Sequence, residues 1–133
     1  MRSLTLPALA LALATGACIA DETMTTEPET GSAWELLRLD GAPFPARATL
    51  TFPEPGLVAG LAPCNSFSGD LLAPLPAFRL GPARVTRRAC ADLPAEGRFF
   101  AALGAVTMAA VQGDTLTLSA PGGPEMIFAR VQP

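Results

Sequence analysis

The segment 62–70, APCNSFSGD, carries the side chains of this chain best suited to chemistry. They are a thiol at Cys64, hydroxyls at Ser66 and Ser68, and a carboxylate at Asp70. A cysteine or serine nucleophile of the usual kind needs a neighbouring base to hold or take its proton. The chain contains no histidine, no lysine and no tyrosine. A structural zinc site needs four ligands at close spacing, and Cys64 and Cys90 lie far apart with no imidazole to join them. No C-x-x-C redox pair is present. Asp70, Asp92, Glu96 and Asp114 fall in expected turns and at an expected helix start, where caps and turns are the ordinary use of a carboxylate and a catalytic pair the rarer one. Enzymatic activity is therefore not expected, and neither is a metal or a cofactor.

The three cysteines are odd in number, and the N-terminus resolves the oddness. Met1 and Arg2 give a short positive start, an apolar run follows over 4–14, and small residues close it at Gly16-Ala17-Cys18. This is the pattern of a secretory signal; the run is too short to cross a bilayer core of about 30 Å. Thr15-Gly16-Ala17-Cys18 resembles the lipobox of bacterial lipoproteins, with Thr15 where leucine is usual, so Cys18 is the expected lipidation site and 1–17 the signal peptide. Cleavage after Ala20, releasing a soluble chain from Asp21, is the alternative. Ile19 stands where an aspartate would favour inner-membrane retention, which directs the anchor to the outer membrane and the domain to the periplasm.

With Cys18 acylated or removed, Cys64 and Cys90 remain, in a compartment where disulfides persist. A bridge between them would close a loop of about 26 residues and stabilise by roughly 3–4 kcal/mol; free buried thiols are the alternative. Residues 18–32 are polar and acidic, with Asp21, Glu22, Glu27 and Glu29 and no basic residue, and read as a disordered tether. From Ala33 onward eight acidic residues balance eight arginines. A neutral domain has no footprint for nucleic acid.

The elements that must hold these residues are short. Residues 34–39 and 46–52 alternate as strands, with Asp40-Gly41 and then Pro53-Glu54-Pro55-Gly56 as turns. Residues 57–62 and 65–72 continue as strands, in which Gly60 and Gly69 suggest bulges or sharp bends. A helix is expected at about 93–104, with Pro94 in its first turn, Glu96 favourable to its dipole, and Phe99, Phe100 and Leu103 supplying apolar surface. Because Phe99 and Phe100 are adjacent, they cannot share one face. After it comes a hairpin turning at Gly113-Asp114, then a last strand over 125–131. The order predicts an α+β fold: a small curved or partly open antiparallel β-barrel of about seven or eight short strands, with one helix inserted late.

Several local features occur together and in order: Trp34-x-Leu36 with Gly41, TLTF, CNSFSG, TRRAC, EGRFFAAL, GDTLTL and IFAR. The sequence resembles the META domain, also called the HslJ-like domain, over about 33–131, and the domain is expected to run over 33–133. The resemblance is carried most specifically by Cys64-Asn65 with Ser68-Gly69 and by 86–90; Pro63, Ser66 and Arg88 depart from the family's usual residues. It implies a bacterial envelope protein, often a lipoprotein, of a family linked to stress responses, with no established catalytic residues. The expected function is thus a non-enzymatic, lipid-anchored envelope protein that binds or scaffolds in envelope maintenance or stress response. Its partners would be the membrane, through the lipid, and an envelope protein. Asn65, Ser66, Ser68, Arg87 and Arg88 are the candidate binding surface, with Asn65 expected to bond its own turn. The alternative is a carrier of a small apolar ligand, which needs an interior cavity lined by residues such as Phe52, Phe67, Phe99 and Met108.

Overall fold

The computed structural model of the protein describes residues 26–132, together with Ser3, Thr5, Ala10 and Ala12. Most of the apolar run, Cys18 and the rest of residues 18–25 of the expected tether lie outside the described residues. The described elements are β1 (Ala33–Leu39), β2 (Ala42–Pro43), β3 (Thr49–Thr51), β4 (Leu57–Leu61), β5 (Ser66–Asp70), β6 (Arg84–Val85), α1 (Leu93–Ala105), β7 (Met108–Gln112), β8 (Thr115–Ser119) and β9 (Glu125–Arg130). The strands form one antiparallel sheet in the order β6-β5-β4-β3-β1-β9-β8-β7, with β2 paired to β1. It does not close on itself, as a partly open barrel requires.

Alternation explains why these segments are strands. Trp34 and Leu36, Leu50, Val58, Phe67, Ala109 and Val111, Leu116 and Leu118, and Met126 and Phe128 are all buried, and their chain neighbours are less so. Successive side chains of a strand point to opposite faces, so each strand sends one row into a common core. The helix adds Phe99, Ala102 and Leu103 from one side. Two tight turns have the chemistry their geometry demands. Asp40 and Gly41 both take positive φ, 52° and 79°, in the two-residue loop between β1 and β2. Gly113 takes φ 60° at the first position of the loop between β7 and β8.

Three expectations are corrected. Gly60 and Gly69 mark no bulge, because the β4–β5 register runs unbroken from Leu57↔Asp70 to Leu61↔Ser66. They mark close approach instead: a Cβ on Gly60 would collide with the Thr49 carbonyl oxygen, and one on Gly69 would meet Leu80 at 2.9 Å. The register shift lies in β1, between Leu36 and Arg38 against β9, which leaves Leu37 half exposed.

The tether is the second correction, since its residues 26–32 lie against the domain. Thr26 exchanges backbone hydrogen bonds with Val111, at 2.8 and 2.6 Å. Gly31 N–H donates to the Phe52 carbonyl at 2.7 Å, and the indole of buried Trp34 donates to Ser32 Oγ at 2.9 Å. The Thr26–Val111 pair, together with Ala109 N–H to the Pro76 carbonyl and Phe78 N–H to the Thr107 carbonyl, covers the outer edge of β7. Thirdly, Phe52, Phe67 and Phe99 are core side chains rather than the lining of a ligand cavity. The Phe99 ring sits 5.6 Å from Phe67 and 5.4 Å from Phe100, and Met108 is 51% exposed.

Candidate functional site

The expected bridge is present: Cys64 and Cys90 are disulfide-bonded, with Cα atoms 5.7 Å apart. It joins the β4–β5 loop to the segment leading into α1. Behind it lies a buried polar node that ties the same two segments to the helix. Glu96, in the first turn of α1, is 6% exposed. Its Oε1 accepts from the backbone N–H groups of Cys64 (3.0 Å) and Asn65 (2.9 Å), and its Oε2 accepts from Asn65 Nδ2 at 2.8 Å. Asn65 Nδ2 also donates to the Arg88 carbonyl at 3.1 Å. On its other side, Asn65 Oδ1 accepts from Thr86 Oγ1 at 3.0 Å and from the Arg88 N–H at 2.5 Å.

A buried carboxylate without a cation is costly unless donors replace its water. Glu96 has three such donors and sits at the positive end of the helix dipole. No buried side-chain nitrogen or oxygen of the described residues lacks a partner. The Asp92 cap makes no side-chain hydrogen bond to the helix, and the Glu96 carboxylate in the first turn serves the β4–β5 loop instead.

This arrangement divides the candidate surface. Asn65 is 6% exposed, and every polar atom of its amide is engaged with partners over twenty residues away. It is a cross-link and not a contact surface, and its bonds do not run to its own turn. Ser66, Ser68 and Asp70 alternate along β5 on the face away from buried Phe67. None of the three side chains bonds to a described residue, and no base lies against either hydroxyl. Arg87 and Arg88 are exposed on the following segment, where the sequence reading placed them on a surface. Arg88 is held through its backbone alone.

Sequence reasoning missed Glu96, Thr86, Arg47 and Arg84. The node unites residues more than thirty apart, and Glu96 had a sufficient local explanation as a helix-start acid. Two shallow grooves flank the bridge. One, of about 440 Å³, is lined by Arg47, Leu61, Pro63, Ser66 and Arg88 among others. The other, of about 680 Å³, runs between the segment 83–89 and α1, with Val85, Arg87, Arg88, Leu93 and Phe100 on its walls. Arg47, Arg84, Arg87 and Arg88 make no ion pair with a described residue; Arg130, by contrast, pairs with Asp114 at 3.3 Å and stacks on Trp34. Among the described residues no group of three His, Cys, Asp or Glu side chains could hold a metal.

A bridged loop, a helix inserted between β6 and β7, and an open antiparallel barrel define a small α+β domain of one kind. The META domain family model matches residues 11–133, and the chain belongs to that family. A solved structure, described as the NMR structure of the protein from Burkholderia xenovorans, is similar in fold. Its TM-score is 0.63 at 20% identity, and the match covers 96% of this chain and 100% of that one. No curated protein matches the chain.

Proposed function

We propose that this META-domain chain is a non-enzymatic cell-envelope protein, anchored by lipid at Cys18, that acts by binding another envelope component in envelope maintenance or stress response. The observation that carries the reading is the Cys64–Cys90 bridge. Disulfides persist in oxidising compartments, and the bridge accounts for two of the three cysteines, the third being Cys18 at the end of the expected export signal. A binding role is supported by what is left free. The polar groups of the Asn65–Glu96 node are spent on one another, the serines on β5 have no activating base, and the unsatisfied groups are arginines beside grooves. The outer membrane, with the domain on its periplasmic side, is the proposed location, since Ile19 follows Cys18.

Intact mass of the protein recovered from its native envelope tests this. The expected mass corresponds to a chain beginning at Cys18 with three acyl chains and two hydrogens fewer than the dithiol. A chain beginning at Asp21 would retract the anchor. Full-length dithiol protein in the cytoplasmic fraction would overturn the envelope reading altogether.

A further inference from the structure

We propose that the open edge of β6 receives an acidic, extended peptide segment of a protein partner as an added strand, with arginines flanking it and an apolar floor beneath it. The inference rests on the binding role just proposed and names the chemistry of the partner.

The two edges of the sheet are treated differently. The outer edge of β7 is covered by Thr26 and by Pro76 to Phe78. The edge of β6 is not. Thr86 N–H donates to the Ser66 carbonyl, so Ser66 and Thr86 form a hydrogen-bonded pair. The register continues as Phe67↔Val85 and Ser68↔Arg84. In an antiparallel ladder bonded and non-bonded pairs alternate. Val85 is therefore in a non-bonded pair, and its N–H and C=O point away from β5. Neither finds a partner among the described residues, and neither does the Arg87 N–H. An exposed row of this kind is a template for another strand.

The surroundings give that strand its chemistry. The Val85 side chain lies on the same face as buried Phe67 and opens into the groove between β6 and α1. Val85 is 39% and Leu93 42% exposed, and half-buried Phe100 lies between them and the core. A strand set about 4.8 Å from β6 would place alternate side chains over this floor. The other side chains would face outward, on the side of Arg84. Arg84 lies on that outward side and Arg87 and Arg88 on the groove wall; none of the three has an anionic partner among the described residues, so acidic side chains of the added strand meet uncompensated charge. The one carboxylate on the groove wall, Glu96, is already bound by Cys64 and Asn65.

The probe is a hexapeptide of alternating glutamate and valine, blocked at both ends, added to the ¹⁵N-labelled mature protein. Binding is expected to slow solvent exchange of the Val85 and Arg87 amides and to shift the resonances of 84–88. Affinity should fall about fivefold with Arg87→Glu, and further as salt is raised. It should fall about tenfold with Val85→Pro, which removes the edge donor. A peptide of the same composition in block order, three glutamates then three valines, should bind at least about tenfold more weakly, because it cannot place alternate side chains on two faces. Unchanged exchange at Val85 and Arg87 under saturating peptide, or equal binding of the block-order peptide, overturns the proposal. So does tight binding to phosphatidylglycerol vesicles, lost in Arg87→Glu, with no peptide protection; that result would assign the arginines to a lipid surface. Crosslinking in native envelopes separates the two readings. Should Val85→Pro and Arg87→Glu both retain the wild-type protein partner, the edge proposal fails and the binding role stands.

Discussion

Replacing Glu96 with alanine is the perturbation that asks most of the structure. The substitution keeps helix propensity and removes three hydrogen bonds together, from Cys64 N–H, Asn65 N–H and Asn65 Nδ2. Asn65 Nδ2 keeps one N–H on the Arg88 carbonyl, so the two backbone N–H groups and the second amide N–H are left without a partner. A buried donor left unpaired costs about 1–3 kcal/mol. The loop is only partly buried, which lets water recover some of this, and the loss of a buried charge offsets a little more. A destabilisation of about 3 kcal/mol follows, or roughly 10–20 °C in Tm for a domain of this size. Glu96→Gln keeps an acceptor for the two backbone N–H groups but sets its own NH₂ against Asn65 Nδ2. It should cost about 1–2 kcal/mol, between wild type and alanine. Urea denaturation of the oxidised protein, followed by Trp34 fluorescence, measures both. If Glu96→Ala lies within about 0.5 kcal/mol of wild type, as a surface substitution would, the node does not hold the loop. If glutamine and alanine cost the same, the charge rather than the acceptor geometry does the holding.

Two other outcomes follow from the same structure. Reducing the Cys64–Cys90 bridge, or replacing both cysteines with alanine, should lower stability by about 3–4 kcal/mol, read from the urea midpoint with and without reductant. Gly60→Ala and Gly97→Ala should move in opposite directions. The first drives a methyl group into the Thr49 carbonyl between β3 and β4 and should cost about 2 kcal/mol or more. The second meets nothing within 4 Å on α1 and should stabilise by about 0.5–1 kcal/mol. Parallel thermal melts of the two variants settle the pair.

Period and turn chemistry are local, and they were legible. Ala48, Leu50 and Phe52 share one buried face as their alternation requires, and Asp40-Gly41 and Gly113-Asp114 turn the chain where their residue types allow positive φ. The expected helix at about 93–104 is observed at Leu93–Ala105. The cysteine pair was legible for another reason: with one sulfur assigned to the N-terminus, only one pairing is left.

What stayed hidden depends on distance along the chain. Nothing near Glu96 announces that its carboxylate serves Cys64 and Asn65, 32 and 31 residues away. Gly60 looks the same in sequence whether it marks a bulge or the passage of a neighbouring strand; only the position of the Thr49 carbonyl distinguishes them. Residues 26–32 carry the composition of a spacer, and their attachment to β7 and β3 consists chiefly of backbone hydrogen bonds that composition does not encode. Residue types and spacing alone determined the strands, the helix and the available disulfide, because each follows from the pattern of polar and apolar groups along one stretch or from a count of thiols. The tertiary structure decided which polar groups satisfy one another and which edge of the sheet stays open, because both are relations between segments that meet only when the chain folds.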